Sequence, residues 1–167
     1  MKGNELTGHS GNDEIGTPRW LFNSLDRRFQ FTYDAAASHE NALCDTYSTV
    51  EGTFRKWRAD EDPRLWNPQE IDALDGLRQE WFERRAFVNP PYSQPLMGQF
   101  IEKAIEERND AQIIVMLVKY DPSTKNGRLL QSHFHLEYLP RIKYDGMKNA
   151  ATFASVVAIV KPDMVKP

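Results

Sequence analysis

From Pro18 to Phe29 the chain reads PRWLFNSLDRRF, with Leu21, Phe22, Leu25 and Phe29 at helical spacing. Thr17 is placed to cap this helix, and Pro18 suits its first turn. FQFTYD then alternates Phe29, Phe31 and Tyr33 and closes on Asp34, the pattern of a strand. AAASHENALCDTY follows as a small-residue turn passing into a short helical or irregular piece. AFV, ahead of Asn89, reads as a short buried strand. LMGQFIEKAIEER sets Met97, Phe100, Ile101, Ala104 and Ile105 on one face, which predicts an amphipathic helix. AQIIVMLVK is an unbroken apolar run, as expected of a strand covered on both faces. HLEYLPRIKY and ATFASVVAIVK predict two further strands. Strands alternating with helices predict an α/β sheet with a mostly parallel core. The last two strands are expected as an antiparallel hairpin at one edge, with DGMKNA as the turn.

The polar stretch at residues 1–12 reads as a flexible leader, and 13–167 as a single domain. Within it, residues 52–73 are charged, dotted with tryptophan and carry two prolines, which suggests a surface insertion. Composition adds little: 40% hydrophobic and 27% charged residues suit an ordinary globular chain. No stretch approaches the roughly 18 apolar residues of a membrane span, so no membrane partner is expected. The single cysteine, Cys44, excludes an internal disulfide and a cysteine-rich metal site, and fits a reducing cytoplasm. His133 and His135 have no cysteine or carboxylate cluster beside them, so no metal is expected. A net charge of −3 argues against a protein that coats nucleic acid. Its distribution is uneven, with six Lys and Arg against three Asp and Glu from Lys119 to Lys148. Such a patch on an acidic body is compatible with salt-sensitive DNA contact.

In open α/β sheets ligands bind beyond the carboxyl ends of strands, and Asp34, Asn89 and Lys119 each fall at such an end. The stretch FVNPPYS is the most informative of these. An amino group conjugated to a ring or carbonyl is a poor nucleophile because its lone pair is delocalised. A site that transfers a group to it must favour the tetrahedral nitrogen of the transition state, and two acceptors set off the ring plane do this. Asn89 offers its side-chain oxygen and Pro90 its backbone carbonyl. Pro90 and Pro91 restrict the backbone, so that carbonyl is fixed in direction before substrate arrives. Tyr92 supplies a flat face for a planar base, worth about 1–3 kcal/mol by stacking. The motif selects transfer to a planar amine or amide. It does not choose among adenine, cytosine and a protein glutamine.

Several elements occur together: TP at Thr17–Pro18, FTYDAAASHENALC from Phe31 to Cys44, DGLRQEW from Asp75 to Trp81, FVNPPYS from Phe87 to Ser93, FIEKA from Phe100 to Ala104, and PRIKY near the end. In this order and combination, over roughly residues 13 to 160, the chain resembles the phage-type DNA N6-adenine methyltransferases. The resemblance implies a Rossmann-like methyltransferase fold and S-adenosylmethionine as methyl donor. It also implies a cofactor seat at Asp34, Ala35, Ala36 and Ala37, closed at the methionine end by Thr17 and Pro18. Asp34 would accept from the cofactor's ammonium group, although a helix N-cap is an equal reading of that residue taken alone.

Two features depart from the family pattern. The glycine-rich cofactor loop of typical methyltransferases is absent, and the motif carries Asn where many adenine-specific enzymes carry Asp. Asn keeps the acceptor oxygen and loses the charge. A duplex substrate must present its base flipped out of the stack. Ser93 is expected at the pocket mouth, with Lys119, and with Lys125 and Arg128 on a loop as phosphate contacts. The expectation is therefore methyl transfer to N6 of adenine in double-stranded DNA. The alternatives are another planar nitrogen, on cytosine, RNA or protein, or a catalytically silent DNA-binding relative.

Overall fold

The computed structural model describes residues 16–58 and 66–161. The leader expected at 1–12 and the tip of the expected insertion, 59–65, lie outside the described residues. Helix α1 (Arg19–Phe29) buries Leu21, Phe22 and Leu25. It begins one residue later than the sequence suggested. Pro18 occupies the cap position, no side chain caps the helix, and the Thr17 hydroxyl is engaged elsewhere. Gln30 ends the helix in a left-handed conformation and turns the chain into β1 (Tyr33–Asp34). The strand is only two residues long because Phe31 packs its ring against Phe22 and Phe87 before the ladder begins.

The chain then forms β2 (Thr46–Ser48), β3 (Thr53–Arg58), β4 (Trp66–Asp72), β5 (Arg85–Val88), α2 (Leu96–Glu106), β6 (Ile113–Lys119), α3 (Lys125–His133), β7 (Phe134–Tyr138) and β8 (Ser155–Val160). Among the described residues the eight strands lie in one sheet, in the order β4-β3-β2-β1-β5-β6-β8-β7. The four central strands β2, β1, β5 and β6 are parallel, and every other pairing is antiparallel. The fold is thus α/β, with parallel strands confined to the middle.

Two edges bracket that centre. The expected antiparallel pair exists as β7 and β8, but residues 139–154 join them, of which DGMKNA is only a part. At the opposite edge the stretch read as a surface insertion supplies β3 and β4, an antiparallel extension of the sheet. Pro68 is tolerated there because β4 is an edge strand, where a missing N–H need not break a ladder.

The core sits on the central strands. Ile114 to Val118 and Ala86 to Val88 are essentially inaccessible, as both faces of a parallel sheet require. Trp81 is fully buried, donating its ring N–H to the Gly76 carbonyl (3.0 Å) and its backbone N–H to Glu107 (2.9 Å). Glu107 also holds Lys103 at 2.5 Å. One carboxylate therefore ties the end of α2 to the segment entering β5.

Candidate active site

The connections leaving β1 and β5 diverge. Residues after β1 lead toward β2, whereas those after β5 lead through α2 toward β6. A crevice opens between the carboxyl ends of two such strands. Here it is a cavity of about 520 Å³, lined by Thr17, Asp34–Asn41, Ser48–Glu51, Asp75–Leu77 and Asn89–Pro91 among others. That volume lies in the range of small-molecule and cofactor sites.

Asp34 closes β1 and is 3% exposed. Its two oxygens accept the backbone N–H groups of Ala36 (3.4 Å) and Leu43 (3.1 Å), folding the 35–43 loop around the carboxylate. The carboxyl is raised from 3.8 to about 6, chiefly by burial, with those two N–H groups and Lys56 acting in the opposite sense. Ala35 donates to the Phe87 carbonyl (3.0 Å) and Ala37 to the Ser48 carbonyl (2.9 Å), so the loop crosses the strand ends at close range. Gly76 meets it there. A Cβ on Gly76 would lie 1.8 Å from the Ala35 carbonyl oxygen. Asp75 shapes this second wall by accepting the N–H groups of Leu77 and Arg78 at 3.0 Å each.

Asn89 follows β5. Its amide nitrogen donates to the Thr17 hydroxyl (2.9 Å), and its side-chain oxygen lies 3.2 Å from the Tyr92 hydroxyl. Helix α1 brings Thr17 to this point through Phe22, whose ring meets Phe87 of β5 edge-on at 5.2 Å. A carbonyl oxygen has two acceptor directions, so Tyr92 uses one and leaves the other. Among the described residues nothing donates to the Pro90 carbonyl. Both acceptors anticipated from the sequence therefore belong to one cavity wall with capacity to spare.

Tyr92 differs from expectation. It is 8% exposed and does not line the cavity. Its ring packs edge-on against Tyr144 and Phe153, and its hydroxyl lies within 3.2 Å of the Leu117 carbonyl and 3.0 Å of the Tyr144 hydroxyl. In this geometry it offers no free face for a base; it supports Asn89 from behind. Burial holds its hydroxyl well above the usual phenol range, so it remains a neutral donor.

The other expected residues are dispersed. Thr17, Asp34, Ala35, Ala36, Ala37, Asn89, Pro90 and Pro91 line the cavity, whereas Pro18, Ser93, Lys119, Lys125 and Arg128 do not. Lys125 and Arg128 stand on α3, not on a loop. The Thr124 hydroxyl caps that helix by accepting from Gly127. Lys125 pairs with Glu102 (3.2 Å), and Arg128 donates to the Ser123 carbonyl (2.9 Å). Lys119 lies over the Phe153 ring, 5.4 Å from its centre. Sequence reasoning assigned no role to Ser48, Glu51, Asp75 or Gly76. DGLRQEW was the one signal for the last two.

Charge on the lining is one-sided. It includes Asp34, Glu40, Glu51 and Asp75, while among the described residues His39 is its only basic side chain. The cavity suits a cationic or neutral ligand and is hostile to a polyphosphate. Among the described residues, no three His, Cys, Asp or Glu side chains are grouped to hold a metal. Also among them, no helix is long and apolar enough to cross a membrane.

The model of the family described as DNA N-6-adenine-methyltransferase (Dam) matches residues 5–73 and 59–151. The chain belongs to this family. The DNA N-6-adenine-methyltransferase of Escherichia phage T1 is a relative, 31% identical over 114 residues, or 67% of this chain. The match spans only 38% of that relative's length. Both family matches take in Asp34 or Asn89, the residues that the fold brings to one crevice.

Proposed function

We propose that the chain transfers a methyl group from S-adenosylmethionine to the exocyclic N6 of adenine in DNA, on a Rossmann-like methyltransferase sheet. One observation carries this reading. The Asp34–Ala37 loop and the Asn89–Pro90–Pro91 acceptors line the same cavity, whose walls bear, among the described residues, four carboxylates and neither lysine nor arginine. S-adenosylmethionine has a sulfonium and an ammonium group and no phosphate, so it is the common nucleoside cofactor that such walls favour. The divergence of the connections after the parallel strands β1 and β5 supports the fold reading.

The buried Asp34 carboxylate accepts the cofactor's ammonium group beside the Ala36 and Leu43 N–H groups. Thr17 closes that end. Bound cofactor supplies the electrophilic methyl. Asn89 and the Pro90 carbonyl would hold the two N–H groups of the target amine and draw its nitrogen out of the ring plane, freeing the lone pair to attack the methyl carbon in line with the carbon–sulfur bond that breaks. The amine proton passes to solvent after transfer, when the nitrogen is cationic and acidic, so no base with a perturbed pKa is needed beforehand. A DNA substrate and a phage relative support a cytoplasmic location, that of the bacterial host for a phage-encoded chain. Mass spectrometry of nucleosides from duplex DNA incubated with protein and S-adenosylmethionine tests the reading. N6-methyladenine is the expected product; methylcytosine, or unmodified DNA under conditions where the cofactor binds, overturns it.

A further inference from the structure

The connection 139–154 has no place in the chemistry above, yet it is fastened to the site. β7 and β8 are antiparallel to each other, and β8 begins opposite the end of β6, with Lys119 paired to Ser155. The connection therefore lies on the same rim of the sheet as the cavity. From Arg141 to Asp145 its residues alternate, with Ile142 and Tyr144 buried and Arg141, Lys143 and Asp145 exposed. The inward set anchors it. Tyr144 reaches the Tyr92 and Ser155 hydroxyls at 3.0 and 2.7 Å, and Ile142 accepts from Ala151 at 2.9 Å. Asp145 exchanges two backbone hydrogen bonds with Gly16, next to Thr17.

The outward face carries two cations and one carboxylate between Arg141 and Asp145, and Lys148 beyond it adds a third cation. Arg141, Lys143 and Lys148 are exposed, and among the described residues none has an acidic partner. Lys125, by contrast, is paired with Glu102, and Arg128 is held by its own helix turn. A connection with three exposed cations against one carboxylate, pinned beside the acceptor wall of an otherwise acidic cavity, is matched to a polyanion at that one side.

We propose that residues 139–154 form the surface that seats the phosphate backbone of the DNA, with Arg141, Lys143 and Lys148 as its contacts. This rests on the DNA-directed function proposed above. The cations sit on a held segment, so they fix where the backbone runs relative to Asn89, while the carboxylates of the cavity repel phosphate and admit the cofactor.

Fluorescence anisotropy with a short adenine-containing duplex, in the presence of S-adenosylhomocysteine and between about 50 and 200 mM NaCl, tests this. Relative to the wild-type chain, Arg141→Ala/Lys143→Ala/Lys148→Ala should bind roughly ten- to hundredfold more weakly. Its slope of log Kd against log salt should be about 3 smaller. Lys143→Ala and Lys148→Ala alone should each remove about 1 from that slope. Calorimetric affinity for S-adenosylhomocysteine should not change. Unaltered slopes in the triple and single variants overturn the surface assignment, as does a larger loss from Lys125→Ala/Arg128→Ala. A wild-type chain that binds the homocysteine compound but no duplex overturns the DNA-directed reading itself, a separate outcome.

Discussion

At Asn89 the side-chain amide works in two directions, giving a hydrogen bond to Thr17 and facing the Tyr92 hydroxyl with its oxygen. Both neighbours are hydroxyls, and a hydroxyl donates or accepts as required. Asn89→Asp is therefore accommodated, with each hydroxyl turning its proton to the carboxylate. A steady-state methylation assay should find this variant within about tenfold of wild type. Asp34 sets a different test. Its folded-state value of about 6 lies above 3.8, so its contribution to stability is present below the lower value and is lost as pH rises through 6. Ligand binding runs the other way, because a cationic ligand requires the ionised form. Affinity for S-adenosylmethionine should be level above about pH 7 and fall up to tenfold per pH unit below about 6. Calorimetry from pH 5 to 8 should show this in the wild type and not in Asp34→Asn. That Asp34 and Asn89 stand on one rim was legible here because each ends a recognisable apolar run, and both line the cavity. The role of Tyr92 was not. An aromatic beside prolines looks the same in sequence whether its ring faces the cavity or, as here, packs on Tyr144 and Phe153 from a distant segment.

Among the elements, the loop after β1 and the turn at Asp75–Leu77 make the cavity only by touching each other. Gly76 is where they meet. Gly76→Ala places a methyl 1.8 Å from the Ala35 carbonyl oxygen, and backbone on both sides must yield. The substitution should cost about 1–3 kcal/mol in denaturant unfolding and weaken S-adenosylhomocysteine binding by about tenfold or more. Elements with strong local signals were readable: α1 and α2 from their apolar stripes, and β5, β6 and β8 from short buried runs. β3 and β4 were not, since TFRKWR and WNPQEID have the charge and proline of exposed segments and become strands only by adding to an existing edge. α3 was missed for a similar reason. KNGRLLQSH has glycine and little apolar periodicity, and the helix is held by its Thr124 cap and by packing on β7.

Over the whole molecule, charge is divided between two sides of one rim. Carboxylates line the cavity, and cations without an acidic partner among the described residues stand on the 139–154 connection. A net charge of −3 conceals that division. The basic excess from Lys119 to Lys148 was visible along the chain, but which of its members are already paired depends on contacts made far away in sequence. In the proposed reaction Asn89 acts on an amine brought to a cavity that also holds the methyl donor. The most direct measurement of this is label transfer from methyl-labelled S-adenosylmethionine to duplex DNA, with nucleosides separated after digestion, for wild type and Asn89→Ala in parallel. Wild type should place label in N6-methyladenine. Asn89→Ala should still bind S-adenosylhomocysteine and transfer label about 100- to 1,000-fold more slowly. Equal transfer by the two proteins would contradict the account.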